Sequence, residues 1–320
     1  ELHGAALPVG DSVTVDGSTW NSLFTASEDG TLIYLPAGEP LGRLLRWVDR
    51  GGEALEVWQP PGNYQTVRLS AGDARLAAEF QQLPVSQLYL YGMDGRREQL
   101  TFAEGDAAEP VFSEDGAYLY HAKQTIGANY AIARTSTTGG TTEQVFGIEG
   151  MDVWPYDLSA EAGAVFAGSG NYFQRTIRAD MWVVPLDGGD AYRFLDEDGW
   201  EPLEVAVSYD GRSVAFAAIV RGSDETQIYV APLETADGRL RVGEPRRQIS
   251  SGGGFQPRWR GDDGELFFLQ GAGQVMASTL QRGPRGEITR FDDQEVLFSA
   301  VLAYGPGLCY GFDVTEDGEL

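Results

Sequence analysis

The sequence predicts an all-β protein, a β-propeller of four-stranded antiparallel blades, and three observations support this prediction. An apolar strand, a short Ser, Asp, Gly turn and a second apolar strand recur seven times along the 320 residues. The turn glycines are separated by 42, 44, 47, 48, 53 and 54 residues, which is the spacing of propeller blades. No stretch places apolar residues at the three- and four-residue spacing of an amphipathic helix.

Each copy of the repeat supplies the two inner strands of one blade. In chain order the copies are LFTASEDGTLIY ending at Tyr34, VRLSAGDARLAA ending at Ala78, PVFSEDGAYLY ending at Tyr120, YDLSAEAGAVFA ending at Ala167, VAVSYDGRSVAFA ending at Ala217, PRWRGDDGELFFL ending at Leu269, and the C-terminal GFDVTEDGEL.

The turn residues are interpreted as scaffold. A tight hairpin needs a residue with positive φ, which Gly adopts freely, while Asp or Ser bonds back to main-chain N–H groups. This interpretation covers the turn aspartates Asp29, Asp115, Asp210, Asp263 and Asp317, which we therefore do not interpret as catalytic.

A second turn signal lies between successive copies and predicts a third and a fourth strand in every unit. The signals are Asp49-Arg50-Gly51-Gly52, Asp94-Gly95, Gly139-Gly140, Asp187-Gly188-Gly189 and Asp237-Gly238. The predicted fourth strands are EALEVW, REQLTF, TEQVFG, AYRFL, RRQIS and QEVLFS.

These strands predict one domain over residues 1–320 with six complete blades. An N-terminal strand at about residues 5–15 and a C-terminal strand at about 310–320 are predicted to share a closing seventh blade, because closure removes exposed strand edges. Seven blades are favoured over six, although the chain ends just as a further second strand begins.

The net charge argues against one class of partner. The chain has 48 acidic and 23 basic residues and a net charge of −25, which disfavours nucleic acid. Lys123 is the only lysine. Both a salt-adapted surface and a GC-rich genome explain this composition.

The sequence has no apolar run of about 18 residues, so no membrane span is expected, and residues 1–10 do not resemble a signal peptide.

No catalytic constellation is found in the sequence, so an enzyme is not predicted. Cys309 is the only cysteine, and His3 and His121 are the only histidines, too few for a His-based metal cluster. Cys309 is expected to be a buried apolar residue, and His121 a surface or edge side chain. The sequence contains no Gly-x-Ser-x-Gly elbow and no phosphate-binding Gly loop followed by a helix.

Two acidic loops leave a cation open as an alternative. Asp196, Glu197 and Asp198 lie together in FLDEDGWEP, and Asp262 and Asp263 lie together in RGDDGE. Oxygen ligands of this kind suit Ca²⁺, but neither loop matches the twelve-residue calcium loop. A solvated acidic loop is the favoured interpretation, so no cofactor is predicted.

The repeats resemble those of TolB-like (WD40-like) propellers. PVFSEDGAYLYHA, VSYDGRSVAFAA and SSGGGFQPRWRGDDGELFFL carry the resemblance, which extends from about Phe24 to Asp317. With GRLLRWVDRGGEALE and GNYQTVRLS, the series is similar to the C-terminal propeller region of bacterial serine/threonine kinases. The second and fourth repeats depart from the pattern, with Ala71-Gly72-Asp73 and Ala160-Glu161-Ala162-Gly163 in their turns.

The resemblance implies a binding or sensing platform without catalytic residues, commonly extracytoplasmic. We therefore predict a non-enzymatic propeller that binds a protein or peptide, located in the periplasm or otherwise outside the cytoplasm, with a cytoplasmic location as the alternative. The rival hypothesis is a lactonase-like or glycan-active propeller enzyme that holds a divalent cation at an acidic channel mouth.

The residues just before each inner strand are the candidate binding site, because the loops that lead into inner strands open on one face of the ring. Aromatic faces among acidic groups suit peptides, sugars and cations. The candidate channel-mouth residues are Trp20, Tyr64, Glu109, Trp154, Glu201, Glu204, Gln256 and Tyr310. Packing between blades is the alternative role for each of them.

Overall fold

A computed structural model shows a ring of antiparallel β-sheets. It describes residues 43–57, 59–82, 85–102, 104–125, 128–171, 180–271, 273–284, 286–300, 311–318 and 320, and the backbone of four short strands within residues 15–34. The N-terminal strands are β1 (Val15–Asp16), β2 (Asn21–Ser22), β3 (Phe24–Ala26), β4 (Leu32–Tyr34), β5 (Arg46–Val48) and β6 (Ala54–Val57). They pair as three antiparallel hairpins, β1 with β2, β3 with β4, and β5 with β6.

The described residues form five complete blades. Blade 1 contains β7 (Tyr64–Leu69), β8 (Arg75–Gln82), β9 (Val85–Gly92) and β10 (Arg97–Gln99), with a 3₁₀ turn at Ala71–Asp73. Blade 2 contains β11 (Ala107–Phe112), β12 (Tyr118–Gln124), β13 (Tyr130–Ser136) and β14 (Thr142–Phe146). Blade 3 contains β15 (Asp152–Ser159), β16 (Ala164–Gly170), β17 (Asp180–Pro185) and β18 (Tyr192–Phe194).

Blades 4 and 5 each carry one strand more than the predicted four. Blade 4 contains β19 (Trp200–Val207), β20 (Ser213–Val220), β21 (Thr226–Ala236), β22 (Arg239–Val242) and β23 (Arg247–Gln248). Blade 5 contains β24 (Phe255–Trp259), β25 (Glu265–Gln270), β26 (Gln274–Arg282), β27 (Ile288–Phe291) and β28 (Glu295–Ser299). The predicted fourth strands are β23 and β28, and the extra strands β22 and β27 pair with extensions of β21 and β26.

The inner hairpin turns follow the predicted chemistry. In blade 2 the Asp115 carboxylate accepts hydrogen bonds from the Ala117 N–H (2.9 Å) and the Ser113 hydroxyl (2.6 Å), and Gly116 has φ of 64°. Blade 5 differs, since Asp263 rather than Gly264 adopts the positive φ, at 55°. Asp tolerates this region because its short side chain bonds to nearby backbone, and here Asp263 accepts from the Tyr209 and Asp210 N–H groups of blade 4.

The hydrophobic core lies between neighbouring blades, because each sheet buries both faces against its neighbours. Between blades 1 and 2, for example, Leu88 and Leu90 pack with Ala107, Phe112 and Leu119. Separate buried clusters lie between blades 4 and 5 and between blades 2 and 3. The repeat thus gains its stability from stacking rather than from any single blade.

Residues 311–318 and 320 occupy the position between blades 5 and 1. Phe312, Val314 and Leu320 pack on blade 5 in one cluster, and the Asp313 carboxylate accepts a hydrogen bond from the Leu69 N–H of blade 1 (2.7 Å). Leu320 also pairs with Val48 of β5. The segment therefore contacts the last complete blade, the first complete blade and the β5–β6 hairpin.

The predicted count of seven blades, or six, is not reached among the described residues, which give five. The sequence pattern predicts that the SEDG hairpin before Tyr34 shares a blade with β5 and β6. In the structure β3 and β4 form a separate hairpin, and Leu320 pairs with Val48 of β5 instead. The physical reason is that both segments carry the same turn pattern. Residues 5–14, the predicted N-terminal closing strand, lie outside the described residues.

Candidate functional site

Four charged side chains form two ion pairs at the inner strands, and both arginines are buried. The Arg68 guanidinium of blade 1 lies 3.8 Å from the Asp157 carboxylate of blade 3 and donates to the Tyr156 carbonyl. Because blade 2 stands between those blades in the ring, this contact passes inside the inner edge of blade 2. Arg258 of blade 5 lies 3.1 Å from the Asp313 carboxylate, its side chain only 4% exposed. We call Arg68, Asp157, Arg258 and Asp313 the axial ion network.

The axial ion network is held by further main-chain contacts. Asp157 accepts the Val207 N–H of blade 4 at 2.8 Å, much as Asp313 accepts the Leu69 N–H. Burial raises the pKa of Asp157 above its usual value, and the charges of Arg68 and Arg258 oppose that rise. These contacts therefore tie the inner strands of different blades to one another.

Three predicted site residues contact a neighbouring blade. Each lies two residues before the strand position that the axial ion network occupies, and they are Glu109, Glu204 and Gln256. The Gln256 N–H of blade 5 donates to the Glu204 carboxylate of blade 4, and the Gln256 side-chain oxygen accepts from the Gly311 N–H at 3.3 Å. Glu109 and Gln256 both have φ of 55°, at bulges in their strands. Glu109, Glu204 and Gln256 are all buried and connect blades, while their predicted part in a ligand-binding channel mouth stays a prediction.

Glu79 and Glu109 form a buried carboxylate pair between blades 1 and 2. The Glu109 N–H points at the Glu79 carboxylate at 3.5 Å, and the Thr66 hydroxyl donates to the same oxygen at 3.1 Å. Burial first, and then the charge of Glu109, raises the pKa of Glu79 to about 7. The sequence analysis missed Glu79 because it lies in a second strand.

The other predicted mouth residues separate into three groups. Tyr64 and Trp154 lie in the hydrophobic core, with 4% and 0% of their surface exposed, which corrects their predicted place at the mouth. Aromatic side chains of inner strands pack between blades even close to the loops, because burying their large apolar area stabilises the fold. Trp20 and Tyr310 lie outside the described residues, and Glu201 is half-buried.

Glu201 lines a cavity of about 380 Å³ between blades 3 and 4, on the face of the loops that lead into inner strands. Buried Met181 and Phe194 contribute apolar surface, and Trp200 contributes an aromatic wall. The Trp200 ring packs edge-on against Tyr229, with centroids 4.9 Å apart. Strand β18 ends at Phe194, and the loop before β19 turns the acidic stretch of the sequence towards this cavity.

The cavity rim is acidic. It carries five carboxylates and two guanidinium groups, namely Asp180, Asp196, Glu197, Asp198, Glu201, Arg193 and Arg221. Arg193 pairs with Asp180 at 3.0 Å, while Arg246 pairs with Glu197 at 2.6 Å and lies 5.1 Å from the Trp200 ring centroid. The negative rim and the aromatic wall together suit an amphipathic cationic group.

The structure places other chemically notable groups away from this cavity. His121 is buried, with 1% exposed, and contacts the Thr135 hydroxyl at 3.0 Å, so the prediction of a surface position is wrong. Burial lowers the pKa of His121 to about 4. Within the described parts of the chain, no three His, Cys, Asp or Glu side chains are arranged to hold a metal ion. Cys309 lies outside those parts.

The axial ion network was also missed by the sequence analysis, although a signal existed. Arg68, Asp157, Arg258 and Asp313 each lie two residues before the Ser, Arg or Thr that opens the inner turn. A charged residue at the same strand position in several repeats indicates that these positions face one another in the ring.

The fold is that of TolB-like β-propellers. A TolB-like protein from Agrobacterium tumefaciens superposes with a TM-score of 0.61 and 17% identity, over 81% of this chain and 91% of that one. TolB from Acinetobacter baumannii gives 0.55 and 14%, over 83% and 72%. The periplasmic gluconolactonase of Pseudomonas aeruginosa gives 0.51 and 14%, over 77% and 76%. At these identities the likeness concerns the fold.

Sequence comparison adds one partial relative. Tricorn protease homolog 1 from Streptomyces coelicolor is 30% identical over 144 residues, which cover 40% of this chain and 12% of that protein. This chain therefore matches a small part of a much longer relative. No protein-family model matches the chain.

In the described residues, no helix has the length and apolar character needed to cross a bilayer.

Proposed function

We propose that this propeller is a non-enzymatic platform that binds a protein or peptide at the cavity between blades 3 and 4. The observation that carries the proposal is the cavity itself, which combines an apolar interior, the Trp200 wall and an acidic rim. Its volume of about 380 Å³ lies within the size range of ligand-binding clefts.

The bound segment carries a Lys or Arg beside an apolar residue, since such a side chain places its charge at the rim and its stem on the aromatic wall. An extracytoplasmic part of a signalling or envelope protein, such as the sensor region of a membrane kinase, is the setting that we propose for this platform. This setting rests on the resemblance of the repeats and on the TolB-like fold.

Selection of peptides from a random phage-displayed library on the purified chain tests the proposal. We expect the selected peptides to be enriched in Lys or Arg next to apolar residues, and their affinity to fall at least tenfold for Asp198→Asn/Glu201→Gln. The matched control, Glu98→Gln/Glu114→Gln, removes two exposed charges elsewhere. Equal affinity for both double variants would place binding outside this cavity.

The alternative is a propeller enzyme that holds a divalent cation at the same acidic rim. Carboxylates are the ligand type that such a cation prefers, but no three described side chains are arranged around one point here. A native-state ligand raises the melting temperature by mass action. For the binding platform we expect no difference between melts in Ca²⁺ and in chelator at constant ionic strength. A rise of several degrees with Ca²⁺, lost in Asp196→Asn/Asp198→Asn, would favour the enzyme.

A further inference from the structure

A second cavity, of about 370 Å³, lies between blades 1 and 2. Arg75 lines it from the start of β8, while Met93 and Thr137 line it from the turns that follow the third strands of blades 1 and 2. In an antiparallel blade these turns and the inner hairpin turn lie at the same end of the sheet. The cavity therefore opens on the ring face opposite the one that carries the cavity between blades 3 and 4, and a ligand here is independent of the proposed function.

The charge of this cavity differs from that of the first. Its lining carries two guanidinium groups and two carboxylates, whereas the cavity between blades 3 and 4 carries two and five. Arg96 and Asp94 pair with each other at 3.5 Å on the surface. Arg75 is half-buried, and it forms no ion pair with the residues that the structure describes. A positive charge is thus left facing the cavity in a chain of net charge −25.

The Arg75 guanidinium is held in place from one side. It donates to the Gly116 carbonyl and lies 5.8 Å from the centroid of the Phe112 ring. Gly116 permits this approach, because a Cβ at that position would lie 2.8 Å from the Arg75 Nη2 atom. A guanidinium presents several N–H donors in a planar fork, and the bond to Gly116 uses one end of it. The other donors are therefore positioned for an acceptor in the cavity.

The same strand position in blade 5 carries an internal ion pair. Arg75 corresponds to Glu265, because their carbonyls accept the N–H groups of Ser70 and Arg260, each five residues earlier and each at 2.9 Å. Glu265 is buried, and its carboxylate accepts from Arg50 of the neighbouring β5–β6 hairpin at 2.9 Å. At this interface the next unit of the ring supplies the charge that the strand position needs.

Between blades 1 and 2 that supply is missing. Arg50 and Thr137 hold the same position in their turns, since each follows the residue whose carbonyl accepts the N–H three positions further on. Thr137 is neutral, and its hydroxyl donates to the Gly116 carbonyl at 2.8 Å, the group that also accepts from Arg75. The interface thus repeats the blade 5 arrangement with a cation on the strand and no anion opposite it.

We propose that the cavity between blades 1 and 2 binds a carboxylate with a short apolar body. The carboxylate accepts N–H donors of Arg75, as charge-assisted pairs of this kind commonly do. The apolar body packs on Leu90 and on Met93, which is 47% exposed. A free aliphatic acid and the C-terminus of a peptide that ends in leucine share this chemistry, and the volume lies in the range of ligand-binding clefts.

Titrations followed by saturation-transfer NMR test the site with two probes, isocaproate and N-acetylglycylleucine, each beside its neutral amide. We expect both acids to bind, and each amide to bind at least tenfold more weakly, because it lacks the charge that Arg75 recognises. Arg75→Gln is expected to weaken both acids at least tenfold. The control Arg212→Gln removes an exposed arginine of blade 4 and is expected to leave them unchanged. Tighter binding of the peptide acid identifies a peptide C-terminus, and tighter binding of isocaproate identifies a free acid.

Thr137→Glu supplies the missing carboxylate from blade 2 and keeps the test usable if Arg75→Gln impairs folding. We expect this variant to raise the melting temperature and to abolish binding of both acids, while Thr137→Gln, its neutral counterpart, retains binding. Amides that bind as tightly as the acids would overturn the proposal. So would acid binding that persists in Thr137→Glu, or the absence of saturation transfer to either acid in the wild-type protein.

Discussion

Replacing Arg258 with methionine is expected to lower the free energy of unfolding by about 3–5 kcal/mol, the usual cost of removing one partner of a buried ion pair. Arg258 lies 3.1 Å from Asp313, and both side chains are at most 10% exposed. Methionine keeps much of the side-chain volume but leaves the carboxylates of Asp157 and Asp313 with less compensating charge in the channel. Chemical denaturation at pH 7 measures the change.

Arg96→Met is the matched control, because Arg96 pairs with Asp94 at 3.5 Å on the surface and is 82% exposed. Such pairs contribute about 0–1 kcal/mol. The double variant Arg258→Met/Asp313→Asn is expected to recover part of the loss, since it also removes the isolated charge. Equal effects for Arg258→Met and Arg96→Met would contradict the assignment of a buried ion network.

Replacing Glu79 with glutamine is expected to stabilise the protein at alkaline pH and to leave it unchanged at about pH 4.5. The pKa of Glu79 is raised from 4.5 to about 7 in the folded state. Between these values the folded chain binds a proton that the unfolded chain has lost, so wild-type stability falls as pH rises and levels off above pH 7. At 1.36 kcal/mol per pKa unit, the full difference is about 3 kcal/mol.

Denaturation of wild type and Glu79→Gln at pH 5, 6, 7 and 8 measures this effect as a widening difference. Glu98→Gln, on the exposed outer strand of the same blade, is expected to give a difference close to zero at all four values. A Glu79→Gln difference that stays constant from pH 5 to pH 8 would show that this carboxyl group titrates normally in the folded protein.

The blade architecture was predictable because its signals are local. The Ser, Asp, Gly turns fix each inner hairpin through bonds within four or five residues, as in the contacts of Ser113 with Asp115 and Tyr118. The spacing of the turns then gives the blades. The closure of the ring was harder to predict because it joins Val48 to Leu320, and two segments of the chain carry the same local pattern.

The site was predictable only in part, because burial is decided by neighbouring blades. Position before an inner strand selected Glu201, which lines a cavity between blades, but the same rule also selected Trp154, which packs wholly inside. Glu79 and the axial ion network depend on contacts between residues far apart in the chain, 30 positions for Glu79 with Glu109 and 244 for Leu69 with Asp313. A single turn motif does not encode such distances, and only a comparison of equivalent positions across the repeats indicates the axial ion network.

The ties between blades share a property with evolutionary consequences. Glu204, Asp157 and Asp313 each accept a backbone N–H from the next blade, at Gln256, Val207 and Leu69. The donor is a peptide N–H group, so any residue except proline at the donor position keeps the bond. Repeats can therefore diverge until little identity remains while the ring persists, whereas a one-residue insertion in an inner strand would break a tie without altering any acceptor.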